Sequence, residues 1–259
     1  MRKVFRGLAP LACAAVVFGG AGTASAADRY VALGDSYSSG TGTASYTLDS
    51  GCERGRYAYP YLAATQRPNT DLVFVACSGA TTDDVMANQI SSVTAATRLV
   101  SITIGGNDAG FTSVVTACVT IGCSSAITTA NNYIRNTLPG KLNTVYAAIQ
   151  RQAPGATVAV LGYPRLFSTS SCAGTTGIDA SERTQLNALA DLADTTIAGR
   201  AAAYGFSYRS AISSWTGHAI CSGSAWLNGL NIFSIGESFH PNRSGHSSGY
   251  TPLVRSVIG

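Results

Sequence analysis

The chain has 259 residues, of which 46% are apolar and only 12% are charged, about half the charged fraction of an ordinary globular domain. Disordered chains need high charge and few apolar groups, and nucleic-acid-binding proteins need dense Lys and Arg. The composition therefore argues against both classes. The length suits one large domain or two small ones with a sizeable core.

The first 26 residues have the three-part pattern of a secretory signal peptide. Three basic residues precede an apolar, small-residue run at 8–22, and an Ala-Ser-Ala sequence follows at 24–26. We expect cleavage after Ala26, which leaves 27–259 as one mature domain. An uncleaved membrane anchor is the alternative, and it is disfavoured because a proline and several glycines interrupt the run.

The leader contains most of the net charge of +4. Without Arg2, Lys3 and Arg6 the chain has 14 basic and 13 acidic residues, a formal charge of +1, and Lys141 is its single lysine. No basic patch is implied. We expect an extracellular monomer with no nucleic-acid partner and no stable membrane insertion.

Six cysteines remain once Cys13 is removed with the leader. An even number in an exported chain predicts disulfides, and no C-x-x-C or clustered Cys/His spacing suggests zinc. No metal is therefore expected. Several pairings are formally possible; the preferred one follows the order of the chain, as Cys52–Cys77, Cys118–Cys123 and Cys172–Cys221.

Short apolar, β-branched runs predict strands in chain order at 29–35, 72–77, 99–104, 157–161 and, more weakly, 206–210. Such continuous runs are typical of strands buried on both faces of a parallel sheet.

Helical spacing of apolar residues lies between these runs. It predicts helices over 134–152 and 178–204, the second capped by Asp179 or Ser181, and a third is expected over 241–257. Alternating strands and helices predict a single α/β domain with a parallel sheet and crossover helices.

Two long stretches, 109–134 and 210–236, contain no formal charge. Neither is predicted to span a membrane, because Ser, Thr, Asn and Gly interrupt both.

Chemically useful groups follow the first three predicted strands. Ser36 comes after the first, Gly79 after the second and Asn107 after the third, while His240 lies near the C-terminus. In parallel sheets the carboxyl ends of the strands meet at one edge, so these groups are expected to converge. A hydroxyl, an N–H beside a glycine, a carboxamide and an imidazole are the parts needed for acyl transfer.

These four residues, in this order, make the chain resemble the SGNH hydrolases of the GDSL esterase/lipase type, especially secreted actinobacterial lipases and phospholipases. The resemblance covers 32 to about 245. It implies a three-layer α/β/α sandwich around a mostly five-stranded parallel sheet in flavodoxin-like order, without a cofactor. It also implies Ser36 as nucleophile, His240 as base, and an oxyanion hole formed by Ser36, Gly79 and Asn107.

The chain departs from the family pattern at two positions. Tyr37 replaces the leucine of the GDSL motif, where a packing role is expected. Three residues before His240, where the family usually has Asp, the chain has Glu237. Either this carboxylate or the backbone carbonyl of Ser238 could orient the imidazole by accepting from Nδ1–H. The carbonyl is preferred because Glu has a longer side chain than the usual Asp, and because the chain resembles secreted family members in which a carbonyl two residues before the His has this role.

The resulting functional hypothesis is a secreted serine ester hydrolase that acts on lipid or small esters of fatty acids through an acyl-Ser36 intermediate. Acyl bonds of phospholipids are further candidate substrates. The alternatives are a polysaccharide acetyl esterase, which would use the same centre, and a non-enzymatic surface-binding module.

Other residues compete for functional roles. His246 is expected to face outward from the last helix and His218 to lie in a loop. Asp83 and Asp84 are expected to charge a helix N-terminus rather than to bind a metal. The aromatic side chains between 215 and 233 could form an acyl-chain wall or cover the sheet edge: Trp215, Trp226 and Phe233.

Overall fold

The computed structural model describes residues 1, 3–4 and 26–259, so the predicted signal peptide and Cys13 lie outside the described residues except at a few positions. Within the described part of the chain, the strands are β1 (Asp28–Gly34), β2 (Thr70–Phe74), β3 (Thr97–Thr103), β4 (Thr157–Leu161) and β5 (Ser207–Arg209).

The strands form one parallel sheet in the order β2-β1-β3-β4-β5. This is the flavodoxin-like order, in which ligands bind outside the carboxyl ends of β1 and β3, where the strand order reverses. In the centre, Val31 of β1 is paired with Val73 on one side and Val100 on the other. The predicted α/β fold and strand order are confirmed.

The second strand differs in its limits from the predicted 72–77. It begins at Thr70 and ends at Phe74, because the chain then turns away from regular pairing. The N–H groups of Val75 and Ala76 both donate to the carbonyl of Ala32, at 3.0 and 3.1 Å. Residues 75–77 therefore lie beyond the regular strand, at the carboxyl edge of the sheet.

The α-helices among the described residues are α1 (Ser36–Ser39), α2 (Tyr59–Thr65), α3 (Thr82–Asp84), α4 (Phe111–Thr120), α5 (Ser124–Asn136), α6 (Leu138–Gln152), α7 (Ala180–Ala203), α8 (Ala211–Ser214) and α9 (Thr251–Ile258). Helices α2 and α9 pack together on one face of the sheet, and α5, α6 and α7 pack together on the other. The sheet is therefore the middle of three layers.

The predicted helix over 134–152 is wrong at its start. The chain breaks at Thr137, and Ile134 belongs to α5 rather than α6. Pro139 lies in the first turn of α6, where its missing N–H costs nothing, whereas inside one continuous helix it would remove a hydrogen bond.

The helices predicted over 178–204 and 241–257 agree better with the structure. Asp179 caps α7, accepting from the Glu182 N–H at 2.8 Å while the Glu182 carboxylate accepts from the Asp179 N–H at 3.0 Å. The segment predicted over 241–257 is a π-helical turn (Gly245–Tyr250) followed by α9, with Pro252 in the first turn of α9.

Three disulfides join Cys52–Cys77, Cys118–Cys123 and Cys172–Cys221, which is the preferred pairing. None of the helices that the structure describes is both long and apolar enough to cross a membrane.

Candidate active site

Ser36 is held at the carboxyl end of β1 by a tight strand-to-helix turn. Gly34 ends the strand with φ of +125°, and a side chain there would meet the backbone of Thr103. The side chain of Gln89 binds both the N–H and the carbonyl of Gly34, at 2.8 and 2.9 Å. Asp35 then caps α1 by accepting from the Tyr37 N–H at 3.0 Å. The first helical residue, Ser36, is thereby presented at the sheet edge.

His240 reaches the same edge from the C-terminal part of the chain. Phe239, the residue before it, has a left-handed φ of +62°, which non-glycine residues rarely adopt. Hydrogen bonds hold this conformation: Tyr37 Oη donates to the Phe239 carbonyl at 2.7 Å, and the Phe239 N–H donates to Asn228 at 3.0 Å. The Asn228 N–H in turn donates to the His240 carbonyl at 2.9 Å.

The two ring nitrogens of His240 face different partners. Nε2 lies 2.9 Å from Ser36 Oγ, and Nδ1 lies 2.9 Å from the carbonyl oxygen of Ser238. A carbonyl can only accept, so Nδ1 must hold the proton and Nε2 must be the acceptor. Burial lowers the pKa of His240 to about 4, and the hydrogen bond to Ser238 opposes this shift. The imidazole is therefore neutral at pH 7 and able to accept a proton from Ser36.

Glu237 has other partners. Its carboxylate accepts hydrogen bonds from Tyr46 Oη and, at 3.2 Å, from the Ala44 N–H. The backbone carbonyl of Ser238, rather than this carboxylate, is the group at Nδ1 of His240. Glu237 instead holds the loop after α1 against the segment that precedes His240.

Three candidate N–H donors belong to residues that line one cleft together with His240: Ser36, Gly79 and Asn107. Gly79 turns the chain after β2 with φ of +79°. Neither its N–H nor that of Ser36 donates to an acceptor among the residues described. Asn107 Nδ2 gives one hydrogen to the Ala80 carbonyl at 3.0 Å, which leaves the other available. These donors and His240 line one cleft.

Tyr163 is a site residue that the sequence analysis missed. Its hydroxyl donates to Asp35 and accepts from the Gly106 N–H at 3.0 Å, so it links the ends of β1, β3 and β4. Burial raises the pKa of Asp35 to about 7, opposed by the hydrogen bonds from Tyr163 and from the Tyr37 N–H. Because Tyr163 closely follows a predicted strand, the strand-end rule could have found it.

Glu53 is the second missed residue. It lies in the long loop after α1, where no strand end marks it, and lines the same cleft as Ser36 and Gly79. Its carboxylate accepts from Thr41 Oγ1 at 2.6 Å. Tyr37, in contrast, packs as expected, with its ring centroid 5.5 Å from that of His240.

Two clefts meet at Ser36 and His240, and we name each after the helix that lines it. In the α7 cleft the lining is mainly apolar and includes Ile134, Pro164, Leu166, Leu189 and Ala193. In the α4 cleft it includes Val115, Val119, Leu230, Ile235 and Phe239. The clefts share Phe111 and Thr112, at the start of α4.

Neither of the competing histidines lines the α7 cleft or the α4 cleft. The expectation that His246 faces outward is wrong: it is fully buried, and its Nδ1 accepts from the Tyr59 N–H at 3.3 Å. The π-helical turn rotates it toward α2. His218 lies in a loop as expected, stacked on Trp226 with ring centroids 3.6 Å apart.

The remaining candidates have structural partners. Asp84 closes a capping box with Thr81 at the start of α3, and Asp83 pairs with Lys141. Trp215 is buried against Trp226. Neither tryptophan lines either cleft, so the acyl-wall hypothesis is wrong for both. Phe233 is 91% exposed.

Comparisons with known proteins agree with this fold. Residues 32–247 match the model of the GDSL-like lipase/acylhydrolase family. Lipase 1 of Streptomyces coelicolor is 48% identical over 238 residues, which cover 90% of this chain and 87% of that protein. An extracellular lipase from Streptomyces rimosus superposes with a TM-score of 0.85 at 44% identity, covering 89% of this chain and 100% of that one.

A phospholipase A1 from Streptomyces albidoflavus is equally similar in structure. Its TM-score is 0.85 at 44% identity, and the match covers 90% of this chain and 100% of that one. The resemblance noted from four short motifs thus extends over nearly the whole described fold. The chain belongs to the GDSL-like lipase/acylhydrolase family.

Proposed function

We propose that the protein is a secreted serine hydrolase that cleaves carboxylic esters of fatty acids. The observation that supports this best is the contact of 2.9 Å between Ser36 Oγ and His240 Nε2, with Nδ1 of the same ring on the Ser238 carbonyl. This arrangement combines a nucleophile, a neutral base and a group that orients the base.

In the proposed reaction, His240 Nε2 takes the hydroxyl proton as Ser36 Oγ attacks the ester carbonyl carbon. The tetrahedral intermediate collapses, the bond to the leaving oxygen breaks, and Nε2 returns the proton to that oxygen, releasing an alcohol. Water then attacks the acyl-Ser36 ester with the same base, which releases a fatty acid and restores Ser36. The Ser238 carbonyl accepts from Nδ1–H throughout and stabilises the transient imidazolium.

The negative charge of each intermediate develops on the former carbonyl oxygen. The N–H groups of Ser36 and Gly79 and the second hydrogen of Asn107 Nδ2 are the proposed donors to it. Because these donors are positioned before the substrate arrives, they stabilise the transition state without reorganisation of the site.

An apolar acyl chain is the proposed occupant of the α7 cleft, whose lining includes the aliphatic side chains of Ile134 from α5 and of Leu189 and Ala193 from α7. The relatives are named lipases and a phospholipase A1. We therefore propose acylglycerols, simple fatty esters and acyl bonds of phospholipids as substrates.

The test of the nucleophile is labelling with a fluorophosphonate followed by peptide mapping. We expect one labelled residue, Ser36, and complete loss of both label and ester hydrolysis in Ser36→Ala, with the melting temperature close to wild type. Ser213→Ala, which removes an exposed hydroxyl on α8, is the matched control and keeps both. A folded, active Ser36→Ala enzyme would contradict the proposal, and absence of any label would favour the surface-binding module.

Substrate class is tested by the rates on p-nitrophenyl esters of increasing acyl length. The proposal expects kcat/KM to rise from acetate to octanoate, because each added methylene buries apolar area in the α7 cleft. A sharp preference for acetate would instead favour the polysaccharide acetyl esterase.

A further inference from the structure

Four apolar side chains are strongly exposed, three of them close together in the sequence at 232–235 and one, Ile121, directly after α4. Phe233 is 91% exposed, Ile121 88%, Ile232 74% and Ile235 67%. Together they are half of the large apolar side chains that are exposed among the residues described. Exposed apolar groups that cluster, rather than scatter, mark interaction sites.

These side chains lie in or next to two segments that line the α4 cleft. Ile121 directly follows Thr120, which lines the cleft from the end of α4. Ile232 and Phe233 lie between Leu230 and Ile235, which line it from the other side. We call the residues 111–121 the α4 wall and the residues 230–236 the loop wall. The cleft between them leads to Ser36 and His240.

Both walls belong to the two long stretches without formal charge, 109–134 and 210–236. The first charged residue after the loop wall, Glu237, is bound to Tyr46 and Ala44. The two walls thus present only uncharged side chains, among them the exposed isoleucines and phenylalanine, whereas Glu53, which also lines the cleft, accepts from Thr41 Oγ1. Such a face loses no charge solvation when it meets an apolar or zwitterionic phase, and it offers nothing to a polyanion.

We propose that the α4 wall and the loop wall together form a docking surface for a zwitterionic lipid surface. The four side chains would enter the boundary between headgroups and acyl chains. The cleft mouth would then lie against the lipid, so that an acyl chain can pass toward Ser36 without crossing water. This inference rests on the proposed function for its purpose, but the docking step itself requires no catalysis.

The test measures binding separately from hydrolysis. All variants are made in the Ser36→Ala protein and sedimented with vesicles of ether-linked dialkyl phosphatidylcholine, which contain no acyl ester. We expect the double variant I232S/F233S to lower the partition coefficient by about tenfold or more, because two apolar side chains are lost from the interface. The matched control I232L/F233L keeps apolar side chains and should bind within about twofold of the parent.

The opposite wall provides a second, independent variant. Ile121→Ser should weaken vesicle binding in the same direction, while Ile121→Leu should not. Thermal unfolding of each variant shows whether the fold is intact; since all three wild-type side chains are exposed, the melting temperatures should stay close to that of the parent.

Two results would overturn the docking surface: failure of the parent to sediment with vesicles, or equal partition of the serine and leucine variants. Retention on insoluble xylan that exceeds vesicle binding would also overturn it, in favour of a polysaccharide surface. Hydrolysis of p-nitrophenyl butyrate by the wild-type enzyme is measured in parallel. Intact hydrolysis with no vesicle binding rejects this inference alone, whereas absent hydrolysis rejects the proposed function alone.

Discussion

His240 combines two properties that a base for Ser36 requires. Its Nδ1 proton is fixed by a carbonyl oxygen, and its Nε2 lies within hydrogen-bond distance of the serine hydroxyl. The carbonyl of Ser238 cannot take up the proton, so it only orients and stabilises the ring. An aspartate would add a full negative charge at this position. The chain instead uses Glu237 to bind Tyr46 and Ala44.

The lowered pKa of His240 leads to a prediction about pH. The base must be neutral, so kcat/KM for a neutral ester should fall below a pKa of about 4 rather than below the ordinary value near 6.5. Below that point the rate should fall about tenfold per pH unit. The measurement is kcat/KM between pH 3.5 and 8, with melting temperatures at each pH. An acid limb centred near 6.5 in folded enzyme would contradict the assignment of this environment to His240.

Asn107 allows the oxyanion hole to be tested at a single side chain. In Asn107→Ala, kcat should fall about 10²–10³-fold, since one donor to the developing charge is lost. The lost hydrogen bond to Ala80 should cost about 1 kcal/mol of stability. Ester hydrolysis assays measure kcat, and urea unfolding measures the free energy of unfolding. Asn131→Ala on α5 is the control. A kcat within threefold of wild type would exclude Asn107 as a donor.

At the residue scale, the strand-end rule located Ser36, Gly79 and Asn107 from the sequence because the carboxyl ends of parallel strands share one edge. The rule could not decide whether Glu237 or Ser238 orients the His240 imidazole, because that depends on the path of the loop that contains both residues. Glu53 was equally out of reach, because it belongs to a loop with no regular element to place it.

At the scale of the element, the loops that present the site are fixed by covalent bonds. Cys172–Cys221 joins the segment after β4 to the segment that precedes the loop wall, across a sequence separation of 49. Cys118–Cys123 closes only the turn between α4 and α5, across a separation of 5. A longer closed loop removes more entropy from the unfolded chain.

This difference predicts unequal stabilities of two disulfide variants. C172A/C221A should lose about 2 kcal/mol more free energy of unfolding than C118A/C123A, from loop entropy alone. Urea unfolding of each oxidised protein measures the difference, and equal losses would show that native-state contacts, rather than chain entropy, dominate. Free-thiol titration of each variant verifies that the other two disulfides have formed.

Helices and strands were predictable where the pattern of apolar residues within the segment itself indicated them. The capped helix α7 and the buried strands have periodicities that tertiary contacts reinforce. The break between α5 and α6 was missed because the apolar spacing continues across Thr137, while Pro139 sits where either a kink or a new helix start is possible. The π-helical turn before α9 was missed because its extra residue serves packing, burying His246 against Tyr59.

At the scale of the whole molecule, the proposed export has a direct test. If the leader is removed after Ala26, the protein in the culture medium should begin with Ala27, directly before β1. N-terminal sequencing and intact mass provide the measurement, and isoelectric focusing should give a pI below the 8.7 of the full chain, because three basic residues are lost. A secreted protein that retains residues 1–26 would contradict the cleavage site and favour the uncleaved anchor.

The sequence by itself predicted the α/β architecture, the strand order implied by the family resemblance, and four candidate site residues that the fold brings to one edge of the sheet. It could do so because burial on both faces of a parallel sheet leaves a continuous apolar signal, and because strand ends converge by geometry. Only the tertiary structure decided which group orients His240, which cysteines pair, and that the two uncharged stretches face each other across a cleft. Those outcomes depend on distances between segments far apart in the chain, which no local pattern of residues encodes.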